Sequence, residues 1–202
     1  MKVLYVTVLS VLLSGCAYGI VDRTNEQQEL LSTCFSIAKP AFLYEGRCAD
    51  LSSGGFGGSK GCTSIQGFDP LPYVREDSTT YEYHYPKSWL DYLSNRASWD
   101  HRLFGQNLFS KQRSIVAPID VDTEIRIVGV YQYPRGESGR VLIVTAKLAS
   151  GPFAGSVIEL PSQGGFNINA PDWTTPEFYP QNGKIELSEE YLKPCAARSP
   201  SN

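Results

Sequence analysis

The chain has 202 residues, 42% of them hydrophobic and 19% charged, with a formal net charge of −3. That much apolar material with so little net charge excludes a disordered chain, and the length allows one domain, or two small ones, with a sizeable core. Mild acidity also speaks against nucleic acid, which selects for clustered Lys and Arg. Twelve Tyr and nine Phe against one Met, with 18 Gly and 13 Pro, favour strands and turns over a helical bundle.

Residues 1–16 read MKVLYVTVLSVLLSGC. Lys2 supplies a short positive start, and the apolar run from Val3 to Leu13 is interrupted only by Thr7 and Ser10. A run of about 11 residues is too short to span a bilayer, which takes roughly 20, and it has the length of a signal-peptide core. It closes on Leu13-Ser14-Gly15-Cys16, which resembles a bacterial lipobox. The resemblance implies that residues 1–15 are removed as a signal peptide and that Cys16 carries the lipid, on its sulfur and on the new N-terminus. The residue types suit that chemistry, since small Ser14 and Gly15 admit a peptidase and a thiol is a good nucleophile to alkylate. By resemblance to enterobacterial lipoproteins, Ala rather than Asp at position 17 favours the outer membrane over the inner. Lys2 is the one charged residue before Cys16, so the mature chain would carry a net charge of −4. Several acyl chains would anchor it stably, at about 0.8 kcal/mol per buried CH₂.

Four cysteines remain, Cys34, Cys48, Cys62 and Cys195. An even count in an oxidising compartment implies two disulfides. No pair has C-x-x-C spacing and neither His is near a Cys in sequence, so neither a metal nor another cofactor is expected. Three connectivities are open. Cys34, Cys48 and Cys62 are spaced 14 residues apart, so loop-closure entropy does not rank Cys34–Cys48 against Cys48–Cys62. A clip across the Gly-rich stretch between Cys48 and Cys62 would order it, which favours Cys48–Cys62 with Cys34–Cys195. The second bridge would tie the tail to the start of the fold.

In chain order, residues 16–33 form a short polar tether, helical at its end. Cys34 to Cys48 (CFSIAKPAFLYEGRC) suggests one or two short strands broken at Pro40. Leu51 to Ser64 (LSSGGFGGSKGCTS) is a flexible Gly/Ser surface loop; Gly58-Ser59-Lys60-Gly61 lacks the Gly-Lys-Ser/Thr order of a phosphate loop. Thr79 to Tyr85 (TTYEYHY) alternates strictly, with Tyr81, Tyr83 and Tyr85 on one face of a strand that Pro86 ends. Ser88-Trp89-Leu90-Asp91 predicts a capping box, with the Ser88 hydroxyl accepting from the backbone N–H of Asp91. The short helix that follows has Trp89, Leu90 and Leu93 on its apolar face, and another turn runs from Trp99 to Phe104.

Ile115-Val116, Glu124 to Tyr133, Arg140 to Ala149 and Ser156 to Leu160 are β-branched runs separated by Gly/Pro turn chemistry. Short strands joined by tight turns over about 50 residues predict a small antiparallel barrel. The arrangement resembles an SH3-like barrel, and Gly151-Pro152-Phe153-Ala154-Gly155 resembles the G-P-F-x-G turn of some of them. The resemblance bears on fold alone, because small barrels host unrelated functions. With Ser88 to Leu93 (SWLDYL) and the strand entry Val116-Ala117-Pro118-Ile119-Asp120-Val121-Asp122-Thr123, the whole chain resembles uncharacterised proteobacterial lipoproteins.

Catalytic chemistry finds little footing. His84 sits in the Tyr-rich strand, and His101 follows Trp99-Asp100, where consecutive helical side chains diverge. G-x-S-x-G is absent, and Gly136-Glu137-Ser138-Gly139 misses it by one residue. Asp120/Asp122 and Glu189/Glu190 read as solvated pairs. The aromatic residues Tyr81, Tyr83, Tyr85, Trp89, Trp99 and Trp173 have two readings, a recognition face or core. Of these, Tyr81, Tyr83, Tyr85 and Trp89 are the candidate partner-binding residues.

The expectation is therefore an α+β, mainly β protein. Residues 1–15 are the signal peptide, 16–33 the tether and 34–112 a disulfide-clipped α+β region with a short helix. An SH3-like barrel follows over 113–165, and 166–202 form an extended Pro-rich tail that wraps it. The expected function is non-enzymatic binding at the periplasmic face, to an envelope protein or peptidoglycan and not to nucleic acid. The alternative is an envelope hydrolase acting on glycan or peptide.

Overall fold

A computed structural model describes residues 19–52, 59–68, 73–74, 80–81, 86–100, 112–134, 140–162 and 172–196. The β-branched runs become the longest strands because alternate residues can be buried on one side. In β9 (Arg140–Leu148), Leu142, Val144, Ala146 and Leu148 all enter the main core. Its antiparallel partner β8 (Glu124–Pro134) contributes Ile125, Ile127 and Val130. Those three share a face only because Val128 is an extra residue: Ile127 pairs with Ala146 and Gly129 with Thr145. This bulge resets the alternation and leaves Val128 in solvent. A Cβ on Gly129 would lie 2.5 Å from Tyr131 Cε2 and 2.7 Å from Thr145 Oγ1, so the position admits only glycine without movement.

The remaining strands in chain order are β1 (Val21–Asp22), β2 (Cys34–Ile37), β3 (Ala41–Ala49), β4 (Ser59–Gly67), β5 (Tyr73–Val74), β6 (Thr80–Tyr81), β7 (Gln112–Ile119), β10 (Val157–Glu159), β11 (Thr174–Thr175), β12 (Glu186–Leu187) and β13 (Leu192–Pro194). The helices are α1 (Gln28–Ser32), α2 (Trp89–Ser94) and α3 (Arg96–Asp100). The protein is mainly β, with short helices. One nine-stranded sheet runs β13-β2-β8-β9-β10-β4-β3-β7, with β1 added on β8; β5–β6 and β11–β12 form two small ribbons.

This path is open, and it does not confirm a closed SH3-like barrel over 113–165. β7 pairs with β3 rather than with β8, and β10 runs parallel to β4, so the expected barrel strands are shared with the N-terminal region. All of them border one hydrophobic cluster, in which Leu43, Ile65, Ile119, Ile125, Leu142, Ile158 and Leu192 meet. The bulged strand β7 stands at the end of the path, with Pro118 blunting this edge as Pro does in edge strands. The turn after β9 follows its sequence, with Gly151 and Gly155 both at positive φ.

Three further expectations change. Ser59 to Ser64 was expected in a loop but belongs to β4, whose register with β3 runs unbroken from Ala41↔Gly67 to Ala49↔Ser59. A long-range partner outweighs local Gly/Ser propensity there. The helical end of the tether is α1, yet the described part of the tether is docked: Val21 and Asp22 pair with β8, and Leu30 and Leu31 of α1 pack on the core. The C-terminal stretch also belongs to the fold, because β13 pairs with β2 and Trp173 is fully buried against Tyr191, with ring centroids 5.0 Å apart.

The cysteines pair as Cys34–Cys195 and Cys48–Cys62, with Cα atoms 5.3 and 5.8 Å apart. The second is a diagonal cross-strand link, since Cys48 faces Lys60 and Cys62 faces Gly46. The first fixes β13 at the margin of the sheet, where the Cys195 N–H also donates to the Cys34 carbonyl at 2.8 Å.

Candidate functional site

The first four residues of β3, Ala41 to Tyr44, are buried on both faces. Ala41 and Leu43 point into the main core, while Phe42 and Tyr44 point outward into a second cluster with Phe68, Ile115 and Tyr92. Tyr92 comes from α2, so this helix lies on the outer face of the sheet. Its start is set locally: Ser88 Oγ accepts from the Asp91 N–H at 3.1 Å, and Asp91 Oδ2 accepts from the Lys87 N–H at 2.9 Å. The box is closed one residue earlier than its usual reciprocal bond. Asn95 breaks the helix, and α3 brings Trp99 against the same cluster.

The helix is turned differently from its expected apolar face. Trp89 and Tyr92, three apart and therefore neighbours on one side, pack inward with tilted rings whose centroids are 5.1 Å apart. Tyr92 is 1% exposed, whereas Leu90 is 77% and Leu93 49% exposed. The aromatic pocket formed by Phe42, Tyr44 and Phe68 decides this, because flat rings fill it against other rings. Two leucines are left facing water on a well-capped helix.

Beside Trp89 a groove of about 510 Å³ runs between α2 and the end of β7. Pro40, Ala41, Phe68, Trp89, Pro118 and Ile119 form its walls, and Lys39, Lys87, Ser88 and Asp120 its rim. A second hollow of about 260 Å³ shares Pro118, Ile119 and Asp120 and continues to Thr123, Pro152 and Phe153. Lys39 forms an ion pair with Glu190, and its Nζ lies 5.4 Å from the centroid of the Tyr191 ring. Ser88 Oγ serves as the helix cap, and the described residues lining the groove include no His or Cys. Apolar walls with a rim of both charges suit contact with another chain.

Of the expected site residues, the structure places Trp89 in this groove. Tyr81 stands in β6, paired with Tyr73 of β5. Tyr83, Tyr85, His84, His101 and Cys16 lie outside the described residues. Trp173 fills the core instead of a surface. Asp120, Asp122, Glu189 and Glu190 are all exposed, as solvated carboxylates are. Cys34, Cys195 and Glu124 converge within 4.8 Å, but both sulfurs are tied up in the disulfide and offer no thiolate. Leu90, Leu93, Phe68 and Pro118 were missed as site residues. The local signal that was present is the i, i+3 aromatic pair, which competes with the leucines for the buried side of α2.

No helix among the described residues is long and apolar enough to cross a membrane. Compared with family models, with curated proteins and with solved structures, the chain matches none.

Proposed function

We propose that this is a lipid-anchored envelope protein, held through Cys16 to the outer membrane, that works as a non-enzymatic binding or accessory module at the periplasmic face. The observation that carries the binding half is the exposed pair Leu90 and Leu93, on a capped helix beside an apolar groove. Large apolar side chains left in solvent close in sequence to Trp89 of an apolar groove suit a protein contact site. Its occupant would be an envelope protein or a peptidoglycan-associated partner, with Trp89 as the aromatic anchor. The anchoring half rests on the resemblance of Leu13-Ser14-Gly15-Cys16 to a lipobox, and two disulfides suit an oxidising compartment. The succession β7 to β10, with its Gly151–Gly155 turn, keeps the SH3-like resemblance as connectivity alone.

Two measurements test this. Metabolic labelling with a palmitate analogue should mark the wild type and spare Cys16→Ser; equal labelling of both removes the anchor. A photo-crosslinking residue at position 90 should trap a defined adduct in cells, and one at Val157, exposed on a different strand, should not. The same adducts at both positions, or none at 90, would remove α2 as the binding surface.

A further inference from the structure

Strand pairing begins at β1, close in sequence to Cys16. Val21 and Asp22 pair with Gln132 and Tyr131, the Arg23 N–H donates to the Val130 carbonyl at 2.8 Å, and Thr24 Oγ1 accepts from the Val130 N–H at 3.1 Å. Four residues separate Cys16 from Val21, which makes five Cα-to-Cα steps. A polypeptide covers at most about 3.6 Å per residue, so whatever its conformation the tether spans no more than about 18 Å. A lipid on Cys16 therefore keeps the β1 surface within about 18 Å of the headgroup layer.

That surface is a polar cleft of about 500 Å³. The Arg23 guanidinium donates to Glu26 Oε1 at 2.6 Å and to Gln132 Oε1 at 3.2 and 3.3 Å, and it lies 5.4 Å from the centroid of the Tyr179 ring. The Tyr179 hydroxyl donates to Glu26 Oε2 at 3.0 Å, and Gln27 Nε2 donates to Tyr179 Oη at 3.1 Å. Hydrogen bonds from Arg23 and Tyr179 hold the Glu26 carboxyl below the ordinary range, and burial raises the Tyr179 phenol. The cleft thus presents the Arg23–Glu26 ion pair next to an amphipathic tyrosine, with the Arg140 guanidinium donating to the same Gln132 Oε1 at 3.0 Å. This is the complement of a zwitterionic phospholipid headgroup, with guanidinium for phosphate and carboxylate for ammonium.

We infer that the cleft of Arg23, Glu26 and Tyr179 is the membrane-facing surface and takes zwitterionic headgroups of the bilayer that holds the anchor. This rests on the Cys16 anchoring proposed above. So short a tether gives the cleft a high effective concentration of headgroups, and weak contacts then suffice. The groove beside α2 shares no residue with the cleft and is built on β3 and β7.

The test uses the chain from Cys16 onward, with the Cys16 thiol coupled chemically to a maleimide lipid in zwitterionic nanodiscs bearing a nitroxide on a fraction of headgroups. Because the coupling is chemical, the outcome does not depend on lipidation in cells, which the palmitate labelling reads separately. The backbone amide signals of Arg23, Glu26 and Gly183 should lose more than half their intensity, while those of Leu90 and Leu93 keep theirs. Equal or greater loss at Leu90 and Leu93, or none at the cleft, overturns the inference. A second form with about 20 Gly/Ser residues inserted after position 18 separates contact from mere proximity. Its cleft signals should stay preferentially weakened and recover in Arg23→Gln with Glu26→Gln; recovery from the insertion alone rejects headgroup binding.

Discussion

Truncating Tyr92 to Ala tests how α2 is turned, on which the candidate site depends. The Tyr92 ring is 1% exposed and packs on Trp89 within the cluster of Phe42, Tyr44, Phe68 and Ile115. A buried aromatic side chain covers roughly 150–250 Å², which at about 25 cal/mol/Å² is worth about 4–6 kcal/mol. That is an upper bound, because unfolded chains already bury some of this area. Large aromatic-to-Ala changes in cores cost about 3–5 kcal/mol. Against a total stability of about 5–15 kcal/mol, a loss of roughly 4 kcal/mol would lower Tm by about 8–16 °C in a chain of this size. Leu90→Ala, on the same helix, removes a side chain that is 77% exposed and should stay within about 0.5 kcal/mol. Thermal melts and urea titrations followed by circular dichroism read both, and crosslinking from position 93 in the Leu90→Ala background reads the partner surface. If Leu90→Ala fell as far as Tyr92→Ala, or if Tyr92→Ala melted with the wild type, the leucines would be the buried face and the site would not exist.

The two disulfides close loops of very different length, with sequence separations of 161 and 14. On chain entropy, Cys34→Ser with Cys195→Ser should cost about 5 kcal/mol and Cys48→Ser with Cys62→Ser about 3 kcal/mol; denaturant midpoints that reverse this order would refute the entropic account. Gly129→Ala should cost about 1–3 kcal/mol by forcing Tyr131 and Thr145 aside. Gly61→Ala, with nothing within 4 Å of the added carbon, should be nearly neutral on that count, as paired melts would show. Glu26 should titrate below an ordinary glutamate in an NMR pH series, and Arg23→Gln should move it back up. Its folded-state value is depressed, so its contribution to stability is present above the unfolded pKa and fades as pH falls through the folded one. Glu26→Gln should flatten that acidic part of the stability profile, and an unchanged profile would show the pair to be inert.

What the amino-acid sequence determined by itself is mostly what adjacent residues decide. Ser88 and Asp91 are three apart, so the cap of α2 is legible in four letters and forms at 3.1 Å. The β-branched runs of β8, β9 and β10 and the glycine turn at 151–155 follow from period-two burial and from positive φ, which are local matters. Of the three cysteine connectivities the sequence leaves open, the favoured one is the one that forms. Long-range contacts decided the rest. β4 begins inside a Gly/Ser stretch because β3 supplies the ladder, and β7 joins β3 instead of closing a barrel. Trp173 allowed two readings from sequence, recognition or core, and packing against Tyr191 decided for the core. In α2, four apolar residues at 89, 90, 92 and 93 allow more than one buried side. The aromatic pocket of β3 and Phe68 selected Trp89 and Tyr92, because a hydrophobic face is defined by what it packs against and the helix sequence does not contain its partner.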